Sequence, residues 1–237
     1  MKLLIQAGAK FSTTEKAIDL MFPYGLINRL NSSSSFMNSS ILTRNEGISL
    51  TQMLNYPTDA KLIYRATRDG FNSSSFHSKC DRISNTVTII KTTSNSVFGG
   101  FTSAAWTHYN EYIYDANGFI FSLRRLGYQN KQRLNVTSSH YAIYGYYYYG
   151  PIFGGGHDIY VSDNSNQNNN SYSNLGHSYQ LPNNMNYGSE EAKSYLAGSY
   201  NWQTTEIEVY QLTQFVPNTL TPLHNGWSIY NFFLILL

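Results

Sequence analysis

The apolar positions of this chain follow two regimes. Before residue 61 they recur at helical spacing. After it they alternate with polar residues over short runs, as strands do. "EKAIDLMF" predicts a short helix that Pro23 ends or kinks. The Ser/Asn tract "NSSSSFMNSS" that follows reads as a flexible linker. In "TRNEGISLTQML", Thr43 and Glu46 have capping-box spacing. Ile48, Leu50, Met53 and Leu54 give that segment an apolar face, and Gly47 weakens it as a helix.

From Lys61 the period shortens. "KLIYRATRDG" has strand propensity and ends in the turn signal Asp69-Gly70. "FNSSSFHSKC" predicts a short capped helical turn carrying Phe76 and Cys80. "NTVTIIKTT" is β-branched and strand-like, and "SVFGGFTSAAW" reads as a strand interrupted by two glycines. "GFIFSLRRL", "YAIYGYYYY", "HDIYVSD" and "EIEVYQL" follow as further strands, with aromatics on both faces at Tyr146 to Tyr149. Many short strands, few helices and Gly-rich connections predict a mainly β fold with short flanking helices. Its two antiparallel sheets would pack as a β-sandwich. The divisions expected are residues 1–40, an N-terminal segment and linker; 41–212, the folded domain; and 213–237, an apolar tail.

Composition narrows the function. A chain of 237 residues with 41% hydrophobic content can bury a real core. Charged residues make up only 13%, the net charge is +2, and no basic run exceeds Arg124-Arg125, so nucleic-acid binding is not expected. The single cysteine, Cys80, cannot form an internal disulfide and argues weakly for a reducing compartment. The run Leu3-Leu4-Ile5 is too short for a signal-peptide core. The tail "GWSIYNFFLILL" is too short for an ordinary membrane span, so membrane contact would be indirect or through that tail. Abundant Asn and Tyr read as a compositional bias.

Each candidate for chemistry has a plainer structural reading. "GGGHDIY" places Gly154, Gly155 and Gly156 before His157 and Asp158. A phosphate loop needs a lysine or a following helix, and here a strand follows. The glycines are therefore expected in a tight turn. On a strand His157 and Asp158 would face opposite ways and could not share an ion. His77 and Cys80 have helical spacing but lack the further ligands zinc requires, and no metal or other cofactor is expected. Cys80 with His77 as its base is a candidate thiol site. Glu206 and Glu208 share one face of a strand opposite Ile207 and Val209. They are expected to face water or to pair with Arg65 or Arg68.

Taken in order, "LIYRATRDGF", "FHSKCD", "TVTIIKTT", "VFGGFTSAAW", "GPIFGGGHDIYVSD", "SYSNLGHSY", "YLAGSY" and "EIEVYQL" closely resemble the TLDc domain. This domain is shared by oxidation-resistance proteins and several TBC- and LysM-containing proteins. The resemblance runs from about Ile41 to Leu212, and the Asn-rich loops are most similar to protist or small-invertebrate members. It rests on Arg65, Arg68, Asp69, Gly70 and Phe71; on Phe98, Gly99 and Gly100; on Gly154 to Asp158; and on Gly198 with Glu208. These residues are read as fold-determining. The resemblance implies a sandwich fold and an intracellular location, cytoplasmic or peripheral to an acidic organelle. It also implies protection against oxidative stress through binding subunits of the vacuolar proton-pumping ATPase, with no catalytic residue. Two alternatives stand beside it. One is an enzyme or peroxide-responsive protein using Cys80 or a His157/Glu208 site. The other is an interaction scaffold with an unknown partner.

Overall fold

A computed structural model describes residues 35–54, 58–182 and 184–214. The helix expected at "EKAIDLMF" and the apolar tail lie outside the described residues, as do residues 31–34 of the Ser/Asn tract. In chain order the main elements are α1 (Arg44–Met53), β1 (Thr58–Arg65), α2 (Ala66–Asp69), α3 (Ser73–Cys80), β2 (Thr86–Thr92) and β3 (Val97–Thr102). Then come β4 (Tyr109–Ile113), β5 (Phe119–Arg125), β6 (Tyr128–Asn135), β7 (Ile143–Tyr146), β8 (Ile152–Phe153) and β9 (Ile159–Tyr160). The last are β10 (Ser171–Tyr172), α4 (Glu190–Ser194), β11 (Asn201–Trp202) and β12 (Thr204–Gln214).

The strands form two six-stranded sheets, ordered β1-β12-β2-β3-β5-β6 and β11-β10-β9-β8-β7-β4. All of their pairings are antiparallel. The expected sandwich is therefore the architecture. One core lies between the sheets, with Ile90, Phe98, Ile120, Ile207 and Val209 of the first sheet meeting Ile143, Phe153 and Ile159 of the second. A second core lies on the other side of the first sheet. There Phe36, Ile41, Leu50 and Leu54 cover Val87, Ile89, Phe101, Phe121 and Tyr210. The first sheet is thus covered on both faces, and its central strand β2 is buried almost throughout.

Local chemistry explains the elements. α1 starts at a capping box: the Glu46 N–H donates to Thr43 Oγ1 at 3.3 Å, and the Thr43 N–H donates to Glu46 Oε2 at 2.8 Å. Arg124 grips the same carboxylate through Nε at 2.8 Å, tying α1 to β5. Burial alone would raise the Glu46 carboxyl, but Arg124 and the Thr43 donors outweigh it and hold it below the usual carboxylate value. α3 is capped by Asn72, whose side chain accepts the Ser75 N–H. The two glycines of β3 do not interrupt it. A Cβ on Gly99 would sit 1.9 Å from the Thr88 carbonyl oxygen, and one on Gly100 would sit 2.5 Å from the Phe153 ring. Glycine there lets β2 and the second sheet close onto β3.

Several boundaries differ from expectation. The strand starting near Lys61 begins at Thr58, and "ATRD" is the helical turn α2, because Asp69 accepts the Arg65 N–H at 2.9 Å and folds the chain back. Of Tyr146 to Tyr149 only Tyr146 is in a strand; the Tyr149 N–H bonds the Tyr146 carbonyl and closes a turn. The tract expected as a linker is packed from residue 35 onward. Phe36 is buried against Tyr210, and Ser39 and Ser40 bond Glu208. No helix of the described residues is long and apolar enough to cross a membrane.

Candidate functional site

The glycine-histidine-aspartate stretch joins β8 to β9 as a tight turn. The His157 N–H bonds the Gly154 carbonyl at 3.1 Å. Gly154 has φ +88°, and a Cβ there would sit 1.9 Å from Asp158 Oδ2, so both conformation and space demand glycine. His157 and Asp158 precede the strand rather than belonging to it, because His157 has φ +56°. They still point apart. Asp158 is fully buried and accepts the N–H groups of Gly176, His177 and Ser178 at 2.7, 3.1 and 3.0 Å, pinning the loop before Tyr179. Burial pushes its carboxyl up to about 6, against the pull of those donors. His157 faces the other way, with Nδ1 2.5 Å from the Tyr172 hydroxyl and its ring stacked on Tyr160 at 5.4 Å. Burial and nearby His177 lower its pKa. The pair therefore anchors two different loops.

Glu206 and Glu208 do share one face of β12, opposite Ile207 and Val209, but both are buried rather than facing water. Each is held by groups arriving from β1, α2 or the Ser/Asn tract. Glu206 accepts from the Thr67 hydroxyl and from the Thr67 N–H, the latter at 3.0 Å. Glu208 receives Arg65 through Nε and Nη2 at 2.9 and 2.6 Å, Ser39 Oγ at 2.6 Å and the Ser40 N–H at 2.9 Å. Arg65 supplies the pairing expected for Glu208, while Arg68 is exposed and pairs with Asp69. Arg68 holds the Asp69 carboxyl below its ordinary value. Glu208 and His157 lie on the outer sides of different sheets and cannot share a reaction.

The other sequence-marked residues serve packing. Cys80 is fully exposed to the core and to no solvent, and burial raises its thiol well above the usual value. Both ring nitrogens of His77 are taken up by Asp81 and by the Tyr146 and Tyr149 carbonyls, and no bond joins the ring to the buried Cys80 thiol, so the thiol site is not formed. Phe98 packs edge-on against Trp202 at 5.2 Å, and Phe71 packs on the same core. Gly70 and Gly198 take positive φ at the ends of α2 and of the loop after α4.

What sequence reasoning missed is the outer face of the second sheet. Rings succeed one another from Tyr112 to Tyr144 at 4.7 Å, and from Tyr146 through Tyr149 to Tyr160 at 4.8 and 4.9 Å. Tyr172 and Tyr200 continue the series at 4.8 and 5.3 Å. Tyr109, Tyr147 and Tyr148 stand exposed beside it. Alternation is the available signal: in "AIYGY", Ile143 and Gly145 point inward and Tyr144 and Tyr146 outward. Compositional bias does not explain such placement.

A two-sheet antiparallel sandwich closed by buried carboxylate clasps and a glycine turn defines the class of protein. The family model of the TLDc domain matches residues 31–213, and the chain belongs to that family. No curated protein matches the sequence.

Proposed function

We propose that this TLDc domain acts by binding a protein partner rather than by catalysis, in protection against oxidative stress. The partner is the vacuolar proton-pumping ATPase, reached from the cytoplasmic side of an acidic organelle. Family membership over residues 31–213 motivates the choice of partner. The observation that carries the binding mode is the tyrosine face of the second sheet, with Tyr109, Tyr112, Tyr147 and Tyr148 at 62, 43, 50 and 63% exposure. Tyrosine is enriched at protein interfaces because it offers contact area and a hydroxyl at small entropic cost. Asp158 and Glu208 are occupied by structural bonds, and the thiol of Cys80 is shielded, the reverse of a redox sensor.

Affinity capture from extracts of the source cell, under conditions that keep the pump assembled, tests this. Wild-type chain is expected to recover pump subunits, and the folded variant Tyr148→Ser/Tyr200→Ser to lose them. Recovery of no pump subunit would remove the ATPase as partner. Recovery of a different, single partner through the same tyrosines would favour the scaffold reading, which the exposed aromatic face also supports.

A further inference from the structure

Outside the clasps and the tyrosine series, one group of metal-ligating side chains stands out among the described residues. His77, Asp81 and His108 each offer one atom, and the three atoms lie within 4.8 Å of one another. The fold brings them together by backbone pairing. His77 and Asp81 are four residues apart, on α3 and at its C-cap, with the Asp81 N–H bonded to the His77 carbonyl at 3.1 Å. Asp81 bridges Trp106 in parallel, and the Arg82 N–H bonds the Trp106 carbonyl at 2.9 Å, which sets His108 beside the carboxylate.

The hydrogen bonds fix how His77 is presented. Its Nε2 lies 2.9 Å from the Tyr146 carbonyl and 3.1 Å from that of Tyr149. Both oxygens only accept, so Nε2 carries the proton. In the neutral ring, Nδ1 then keeps its lone pair and aims it at Asp81 Oδ1, 2.8 Å away. Two acceptors facing each other require a cation between them. His108 Nδ1 meets the other oxygen of the same carboxylate at 2.5 Å. A proton on each imidazole Nδ1 satisfies the two carboxylate oxygens in the absence of metal; a single metal ion replaces both protons and gathers all three side chains.

We propose that His77, Asp81 and His108 form a binding site for a divalent transition-metal ion, with zinc the ion that suits the ligand set. Two imidazoles and one carboxylate match zinc sites that keep a fourth position open, and imidazole ligands disfavour calcium and magnesium. Ligand atoms bound to one tetrahedral zinc lie ~3.3 Å apart, so a small rotation of the Asp81 carboxylate admits the ion. The outer shell is in place: a backbone carbonyl takes the second N–H of His77, as is usual for metal-bound histidine. Tyr147 stacks parallel over the His77 ring at 6.4 Å. His77 is buried, while the His108 side chain is 40% exposed, so the fourth position opens to solvent.

The test uses the whole chain stripped with a chelator and titrated calorimetrically with zinc chloride, beside His108→Ala and, as a control, His140→Ala. His108 is exposed enough for its removal to leave the fold intact, which thermal unfolding in chelator checks. One zinc per chain is expected, with affinity lowered at least about 10-fold in His108→Ala and unchanged in His140→Ala. Cobalt should give a ligand-field absorption that His108→Ala loses, and magnesium should give no heat. No zinc uptake by the wild type, or uptake that His108→Ala leaves unchanged or that His140→Ala lowers equally, would overturn the site.

Discussion

On the outer face of the first sheet, charged side chains are buried and fully engaged; on the outer face of the second, polar-tipped rings stand in water. Glu208 is inaccessible and holds Arg65, Ser39 and Ser40, and Glu46 holds Arg124. Tyr109, Tyr147 and Tyr148 keep half or more of their surface in solvent. The first face is finished by the chain itself, through Phe36, Ile41 and α1. Among the described residues, nothing finishes the second in that way. Carboxylates, which suggest chemistry when read in a sequence, here close the fold, while residues that read as compositional bias form the available surface.

The contrast can be broken at several points. The largest effect is expected at the seam between the sheets. Gly99→Val places a side chain on the Thr88 carbonyl and should leave little soluble protein, a loss beyond about 4 kcal/mol, checked by expression and thermal unfolding. Next, Glu208→Ala strands the Arg65 guanidinium and the Ser40 N–H, and should cost roughly 3–5 kcal/mol in denaturant unfolding. A loss below about 1 kcal/mol would place Glu208 with the surface rather than the clasp.

Asp158 sharpens the comparison through pH. Its carboxyl is raised in the folded state to about 6 from 3.8, so the fold binds the proton more tightly than the unfolded chain does. Its contribution is therefore most favourable below about pH 4 and is lost as pH rises through about 6. The loss, about two pKa steps, is on the order of 3 kcal/mol. The stability of wild type relative to Asp158→Asn should fall by about that amount between pH 4 and pH 7; a flat difference would contradict the burial argument. Smaller still, Tyr148→Ser should shift stability by no more than about 0.5 kcal/mol, because the ring is 63% exposed.

The fold was largely legible in the sequence. Period-two runs located most strands, and Thr43 with Glu46 announced the start of α1. Boundaries failed where tertiary contacts override local pattern. "ATRD" turns into a helix because Asp69 and Glu206 supply acceptors to it, one four residues away and the other on β12. "NSSSSFMNSS" has linker composition, yet its serines are the partners a buried Glu208 requires. The site was less legible. The glycine turn followed from the strand after it, and His77 and Asp81 share helical spacing, but His108 reaches them only through an isolated β-bridge, which no spacing rule encodes. The tyrosine face was visible as alternation in β7, but its continuation through Tyr160, Tyr172 and Tyr200 depends on sheet order.

The proposal is that the exposed tyrosine face, and not the buried carboxylates, does the work of this TLDc domain. Its most direct test is capture of vacuolar ATPase subunits by the Tyr148→Ser/Tyr200→Ser chain, measured at a temperature where its unfolding curve matches the wild type. Capture is expected to be lost while the fold is kept. Undiminished capture by that variant would contradict it.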